Sequence, residues 1–317
     1  MNRYSIQADG VLTATELGTE AGRILARGES AGKIFASLSG GIYFLTDDQE
    51  IFWISTDQPP MHRRCIRTAF LPARRHVQVG QRFRSDPPLL LADSFVVDLR
   101  GAKEWNPPPI LPGRVLPLAL VNKRCDQLRG FFQCLNLREG LSPVISSLWA
   151  LNKEEFALSR TAGIFSRISA VIFEIAKACR RRDMSGILEK GKELIGLGPG
   201  LTPSGDDFMG GLLFSASLLK KFYPEAFFWD QDRVTDFLAG AQSWTHPISH
   251  VFLSDFASGH APAPLDEVMG YLLQRRDFGK AASAAVQLLR FGHSSGGDML
   301  AGLMTGLLLV SGEQVKA

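Results

Sequence analysis

Apolar and polar positions follow two different periods along this chain, and the change between them divides it. In the first part, β-prone runs occur at Lys33–Leu38, Gly41–Leu45 and Ile51–Ser55, separated by Ser39-Gly40 and by Asp47-Asp48-Gln49-Glu50, which read as hairpin turns. Further strands are expected at His76–Arg82, Leu89–Ala92 and Ser94–Leu99. Prolines recur from Pro59 to Pro112, each lacking a backbone donor, and they argue against long helices. A compact β-domain, barrel or sandwich-like, is predicted up to about Leu118.

Beyond it the period becomes helical. Glu154–Arg182 could hold one long helix, with Ile164, Ile168, Val171, Ile172 and Ile175 on its apolar face and three arginines near its end, where cations suit the helix dipole. Met184–Ile195, Ser204–Phe222, Asp232–Ser243, Pro247–Ala257, Leu265–Arg275, Lys280–Phe291 and Gly297–Val310 follow. Their short connections suggest a bundle. The fold class is therefore α+β, with a β-rich domain over residues 1–135 and an α-helical domain over 136–317, the link lying between Leu118 and Leu151.

One junction in the helical part stands apart: Gly196-Leu-Gly198-Pro-Gly200-Leu-Thr202-Pro203-Ser204-Gly205-Asp206-Asp207. The glycines permit backbone conformations that turn N–H groups toward a ligand. Thr202 reads as an N-cap with Pro203 as the first helical residue. Such a helix start is a common anion site, yet two aspartates there would repel a bare anion unless a cation, a proton or a donor-rich substrate intervenes.

A later segment resembles this one. Ser204-Gly205-Asp206-Asp207-Phe208-Met209-Gly210-Gly211-Leu212 aligns with Ser295-Gly296-Gly297-Asp298-Met299-Leu300-Ala301-Gly302-Leu303. The similarity can be plain helix-start chemistry. It can also be geometric: interior glycines cost ~1 kcal/mol against alanine, so Gly211 with Ser215, and Gly302 with Gly306, suggest two faces in close approach. The two helix starts would then converge, placing Ser204, Asp206, Asp207, Ser295 and Asp298 around one pocket. Between the copies, Thr245 or His246 could cap the helix that Pro247 begins, with Ser249 in its first turn. The histidines read as surface or capping residues, except that His293 sits beside the candidate site and could exchange protons near neutrality.

Composition narrows the function classes. A chain of 317 residues with 45% hydrophobic content can fill two cores, and a net charge of +3 indicates no global attraction to nucleic acid or membrane. Locally, Arg63, Arg64, Arg67, Arg74, Arg75, Arg82 and Arg84 form a run without acidic residues. It could bind phosphate, an acidic partner or RNA; sparse aromatics, only Phe70 and Phe83, favour a solvated, arginine-decorated strand pair. Cys65, Cys125, Cys134 and Cys179 show neither CxxC nor zinc spacing. The N-terminus lacks the apolar core of a signal peptide, and the longest apolar run, near Met299–Val310, is short of the ~20 residues that span a bilayer. A soluble, cytoplasmic protein is expected.

Clustered Asp, Ser and Gly at helix starts suit two tasks: holding Mg²⁺ with a phosphorylated substrate, or gripping a small polar substrate through carboxylate acceptors and backbone donors. GxxxxGK[ST] and HExxH are absent. The run Gly196–Phe208, Ile248-Ser249 and Gly292-His293-Ser294-Ser295-Gly296-Gly297-Asp298 resembles the AllH-type family, whose members are similar to a subunit of oxamate carbamoyltransferase in purine (allantoin) catabolism. The resemblance covers about residues 190–310. It implies a role in interconverting oxalurate and phosphate with oxamate and carbamoyl phosphate, alongside FdrA-type and other partner subunits, with no nucleic acid or membrane partner.

On this reading Asp206, Asp207, Asp298 and His293 are the candidate catalytic residues. Gly198, Gly200, Thr202, Ser204, Gly205, Ser249, Ser295 and Gly296 are the candidate substrate-binding residues, for a small molecule bearing phosphate, carboxylate or amide. No cofactor is fixed, and Mg²⁺ is possible. Neither motif contains lysine or arginine, so any cationic clamp must come from elsewhere. The alternatives are a stand-alone Mg²⁺-dependent enzyme on a phosphorylated or amide substrate, and a noncatalytic scaffold or ligand-sensing subunit.

Overall fold

In the computed structural model of the protein, residues 10–27, 30–38, 40–57, 59–135, 137–148 and 164–311 are described. Contacts divide the chain into two compact units, Met1–Pro109 and Ile110–Ala317. The first is β-rich and the second helical, the α+β order that the change of period predicts.

The first unit is a barrel. Its strands are β1 (Val11–Gly18), β2 (Ala31–Leu38), β3 (Gly41–Thr46), β4 (Ile51–Ser55), β5 (Cys65–Thr68), β6 (Arg82–Asp86), β7 (Leu89–Ala92), β8 (Val96–Asp98) and β9 (Lys103–Trp105). They pair in the order β5-β4-β3-β2-β6-β7-β8-β1, and β1 returns to β5, closing an eight-stranded ring that leaves these strands no open edge. β9 pairs in parallel with the end of β1. The interior is filled by alternate side chains, as in the outward-inward pattern of β6, and by packed aromatics: Phe44 stacks on Phe52 at 4.9 Å and meets Phe83 edge-on at 5.2 Å. A helix at Thr19–Ala26 adds Ala21, Ile24 and Leu25 to this core.

The strands expected at residues 33–55 and 89–92 form, whereas the one expected at His76–Arg82 does not. Arg74–His76 is a single 3₁₀ turn, and Gly80, at φ +94°, bends the chain so that only Arg82 enters β6. Three arginines of the run, which is free of acids in sequence, pair in space with carboxylates from other segments. Arg63 meets Glu20 at 2.5 Å, Arg67 meets Glu16 at 2.9 Å and Arg82 meets Asp47 at 2.8 Å.

The second unit contains helices at Leu118–Gln133, Val144–Ser147, Ile164–Arg180, Met184–Gly191, Ser204–Phe222, Gln231–Ala241, Pro247–Ala257, Ala263–Leu273, Phe278–Leu289, Ser295–Gly306 and Leu308–Ser311. Two of them form its centre. Every residue from Ser204 to Ala216 is buried, and so is every residue from Gly296 to Gly306, the signature of helices covered on all sides. The bounds expected for 204–222 and 247–257 hold, while the last expected helix breaks at Leu307 into two. The part of the long expected helix at 154–163 lies outside the described residues. Helices Leu118–Gln133 and Val144–Ser147 were not signalled by periodicity.

Among the described residues no helix is long and apolar enough to cross a membrane. Cys65, Cys125 and Cys179 are buried free thiols, which burial pushes above the ordinary thiol range; Cys134 is exposed and also free.

Candidate functional site

The Ser204–Phe222 and Ser295–Gly306 helices cross with their backbones in contact. A β-carbon on Gly302 would lie 1.8 Å from the Phe208 carbonyl oxygen, and one on Gly211 would lie 1.9 Å from that of Met299. Phe208 and Met299 are themselves aligned positions, so each glycine receives the backbone of the other copy at the equivalent place. Gly306 likewise leaves room for Ser215. The close approach proposed for these small residues is thus present, and it has the form of a local two-fold exchange.

The loops ahead of the helices repeat it. Gly198, at φ +127°, and Gly292, at φ +63°, each turn the chain beside the serine that opens the following helix, Ser204 or Ser295. In the first loop the Gly205 N–H donates to the Leu197 carbonyl at 2.9 Å; in the second the Gly296 N–H donates to Phe291 at 3.2 Å. These two donors are therefore spent within the chain. Gly205 and Gly296 also admit the carbonyls of Leu194 and Leu288 where any side chain would collide.

Thr202 is not the cap that the sequence suggests. Pro203 occupies that position, with φ −56° and ψ 146°, and the Thr202 hydroxyl reaches across to Ser295 Oγ at 3.1 Å. Ser204 Oγ lies 3.5 Å from Ser294 Oγ. Both helix starts therefore meet through hydroxyls, each supplied by one copy to the other.

The aligned aspartates face this junction. Asp207 is 2% exposed and Asp298 0% exposed, and the Oδ2 atom of each is buried without a hydrogen-bond partner. Burial raises the Asp207 carboxyl well above the ordinary range, the charges of Asp298 and Asp206 add to that, and the hydroxyls of Ser295 and Thr202 oppose it. Burial pushes Asp298 up to about 6, against the Leu141 N–H and the hydroxyls of Ser204 and Ser294. Each carboxyl is thus steadied by a serine of the other copy, Asp207 by Ser295 and Asp298 by Ser204.

Asp206 has a different environment. Its Oδ1 accepts from the Gly196 N–H at 2.6 Å, and its Oδ2 accepts from Ser249 Oγ at 2.6 Å and from the Thr245 hydroxyl. Burial raises this carboxyl too, while those three donors oppose the rise. The arrangement ties the glycine loop to the start of the Pro247–Ala257 helix. His246 caps that helix, its Nδ1 accepting from the Ile248 N–H at 3.2 Å.

Two residues singled out by the sequence stay outside the buried cluster. The His293 side chain is 91% exposed, with Nε2 3.7 Å from Glu139 Oε2. Gly200, at φ +94°, is exposed with open space beside it, and Gly198 is half-buried. The sequence reading missed residues 139–142, whose backbone lies over Asp298; no periodicity or motif marks them. Among the described residues no group of three or more His, Cys, Asp or Glu is placed to hold a metal ion. Asp207 and Asp298 could offer Mg²⁺ two carboxylates at most, the remaining ligands being water or substrate oxygens.

Residues 194–307 match the model of a family described as oxamate carbamoyltransferase subunit AllH. Both helix starts, Ser249 and the crossing glycines lie inside that span. No solved structure matches the chain.

Proposed function

We propose that this protein is a subunit of a carbamoyltransferase, and that the junction of its two paired helix starts binds the group being transferred or its acceptor. The observation that carries this reading is the pair of buried carboxyl oxygens, Asp207 Oδ2 and Asp298 Oδ2, left without donors. An unpaired buried acceptor costs about 1–3 kcal/mol, more if charged, so a ligand that supplies N–H or O–H groups there recovers that energy. The –NH₂ of an amide has two such donors. The family match over residues 194–307 supports the same substrate class.

The two carboxyls suit proton transfer because their environments differ. Burial raises the Asp207 carboxyl well above the ordinary range, with the charges of Asp298 and Asp206 adding to the rise, while Asp298 is pushed up to about 6. In phosphorolysis of a carbamoylated amide such as oxalurate, a phosphate oxygen attacks the carbamoyl carbon and the C–N bond to the amide breaks. The departing nitrogen takes the proton of Asp207, giving oxamate and carbamoyl phosphate. In the reverse direction ionised Asp207 accepts a proton from the oxamate –NH₂ as that nitrogen attacks, and phosphate leaves. Asp298 Oδ2 accepts a second N–H and holds the amide in line.

The phosphate end needs positive charge that neither motif contains, and the exposed glycine loop around Gly200 is its place of entry. A partner subunit, of the FdrA type in this family, supplies that charge. This accounts for motifs that hold paired acids and no lysine or arginine.

The test is a thermal-shift series on the purified chain, alone and with partner subunits, using carbamoyl phosphate, oxamate, oxalurate and phosphate. A ligand at about 100 times its dissociation constant adds ~2.7 kcal/mol of stability. Asp207→Asn should abolish turnover of the assembled complex without dissociating it. Full turnover in that variant would sink the catalytic assignment and leave a scaffolding or sensing role.

A further inference from the structure

The segment that lies over Asp298 comes from outside the span that matches the family. Leu141 donates its backbone N–H to Asp298 Oδ1 at 2.5 Å, in a site where Leu141 is itself fully buried. Gly140, at φ +55°, precedes it, and a β-carbon there would stand 2.3 Å from the same Oδ1 and 2.5 Å from Ser294 Cβ. Ser142 packs over Gly297, the position that corresponds to Asp206 in the other copy, where a β-carbon would be 3.0 Å from Ser142 Cβ. Its hydroxyl is turned back to the Glu139 carbonyl at 2.7 Å, so the short segment holds its own shape.

These contacts divide the carboxyl of Asp298 into two unequal oxygens. Oδ1 is held by a backbone donor, and Oδ2 has none. Rotation about the Cβ–Cγ bond would exchange them, and it would break a charge-assisted hydrogen bond in a buried place, where such bonds are roughly twice as strong as neutral ones. At Asp207 the hydroxyls of Ser295 and Thr202 face the carboxyl instead. The two acids of the pocket therefore differ in how they are held as well as in proton affinity.

We propose that Gly140 and Leu141 are positioning residues for Asp298: the bare α-carbon of Gly140 lets the backbone pass over the carboxyl, and the Leu141 N–H fixes Oδ1 so that Oδ2 is the oxygen presented to substrate. The inference rests on the reading of Asp298 as a substrate-contacting group. It extends the site to residues 140 and 141, which neither the motifs nor the family match includes. Of the charged and titratable groups, Asp207 interacts with Asp298 across the junction, and Glu139 lies with His293 at the surface end of the segment. Glu139 and His293 are exposed to solvent, which screens them.

The experiment needs no ligand, so its failure is separable from failure of the functional reading. Amide and carboxyl NMR of the full chain, titrated from pH 4 to 8, should show the Leu141 N–H shift moving with the same midpoint as the Asp298 carboxyl carbon. The movement should vanish in Asp298→Asn. In Gly140→Ala the Asp298 midpoint should rise by about one pH unit, since a donor to the ionised form is lost. In the assembled complex kcat should fall at least 10-fold, with the low-pH limb of activity displaced upward by the same amount. A Leu141 amide indifferent to pH in the unaltered protein would overturn the proposal even if Gly140→Ala failed to fold. A Gly140→Ala protein that folds with an unmoved midpoint would overturn it as well. If instead the unaltered chain, with its partners, binds none of the carbamoyl compounds while the titration behaves as described, the functional reading fails and the positioning of Asp298 stands.

Discussion

The α-carbon of Gly302 rests against the carbonyl of Phe208, so closely that a single added methyl group would overlap the oxygen. Backbone atoms cannot yield as the tip of a long side chain can, so Gly302→Ala must separate the two central helices. The expected cost is about 3 kcal/mol, the upper range for overpacking a core. Gly200→Ala is the control. Open space surrounds Gly200, and the cost there is the left-handed backbone alone, about 1 kcal/mol. Urea denaturation of both variants measures the difference, and equal losses would refute the contact.

Asp298 also makes the stability of the helical unit depend on pH in a stated direction. Its carboxyl titrates near pH 6 when folded, against an ordinary value of 3.8, so the folded state binds more protons between those limits. Stability from this group is therefore greatest at low pH and falls as pH rises from about 4 through 6. Asp298→Asn should flatten that part of the curve and raise the melting temperature at pH 8 by several degrees. Activity should run the opposite way, rising through pH 6 as Asp298 ionises. A variant less stable than the parent at pH 8 would contradict the burial argument.

Asp206 is a brace, and its removal should be read in stability first. Asp206→Ala strands the Gly196 N–H and the hydroxyls of Thr245 and Ser249, all gathered on one carboxyl. Breaking a shared network of this kind is expected to cost about 3 kcal/mol, and Ser249→Ala alone about 1 kcal/mol. Calorimetry on the two variants distinguishes a brace from a group whose loss affects only turnover.

The barrel has its own acid-sensitive contact. Burial would raise the Glu20 carboxyl, but the hydrogen bond from Arg23 and the charges of Arg63, Arg64 and Arg23 bring it down to about 2, from 4.5. Because the folded value is depressed, this contribution is present above pH 4.5 and is lost as pH falls toward 2. Glu20→Gln should lower barrel stability at pH 7 and make it less dependent on pH in that window, as followed by urea denaturation at successive pH values.

Much of this architecture was legible because particular residues leave one interpretation open. Gly211 and Gly302 inside otherwise apolar helices have no reason to be glycine except contact, and the aligned Ser-Gly starts point to which helices touch. The barrel was legible as alternation, and its closure was not, since β1 and the Thr19–Ala26 helix carry no strong turn signal before them. Thr202 was misread because a threonine before proline satisfies local capping rules, while its true partner, Ser295, is distant in sequence. The carboxylates that pair with Arg67, Arg63 and Arg82, namely Glu16, Glu20 and Asp47, all precede the arginine run in the chain, so its local composition does not show them. Leu141 could not be found, because a backbone N–H that binds a carboxylate leaves no trace in residue identity, and Gly140 lies in no motif or repeat that sets it apart from other loop glycines.

The exchange of serines between the two copies has a consequence for how the site comes into being. Asp207 draws on Ser295 as well as its own Thr202, and Asp298 on Ser204 as well as its own Ser294, so each half is completed with a hydroxyl from the other. The buried pair of carboxyls and its hydroxyls is therefore made by two segments distant in the chain, and neither segment contains it alone. A change that displaces either helix start is expected to disturb both carboxyls together.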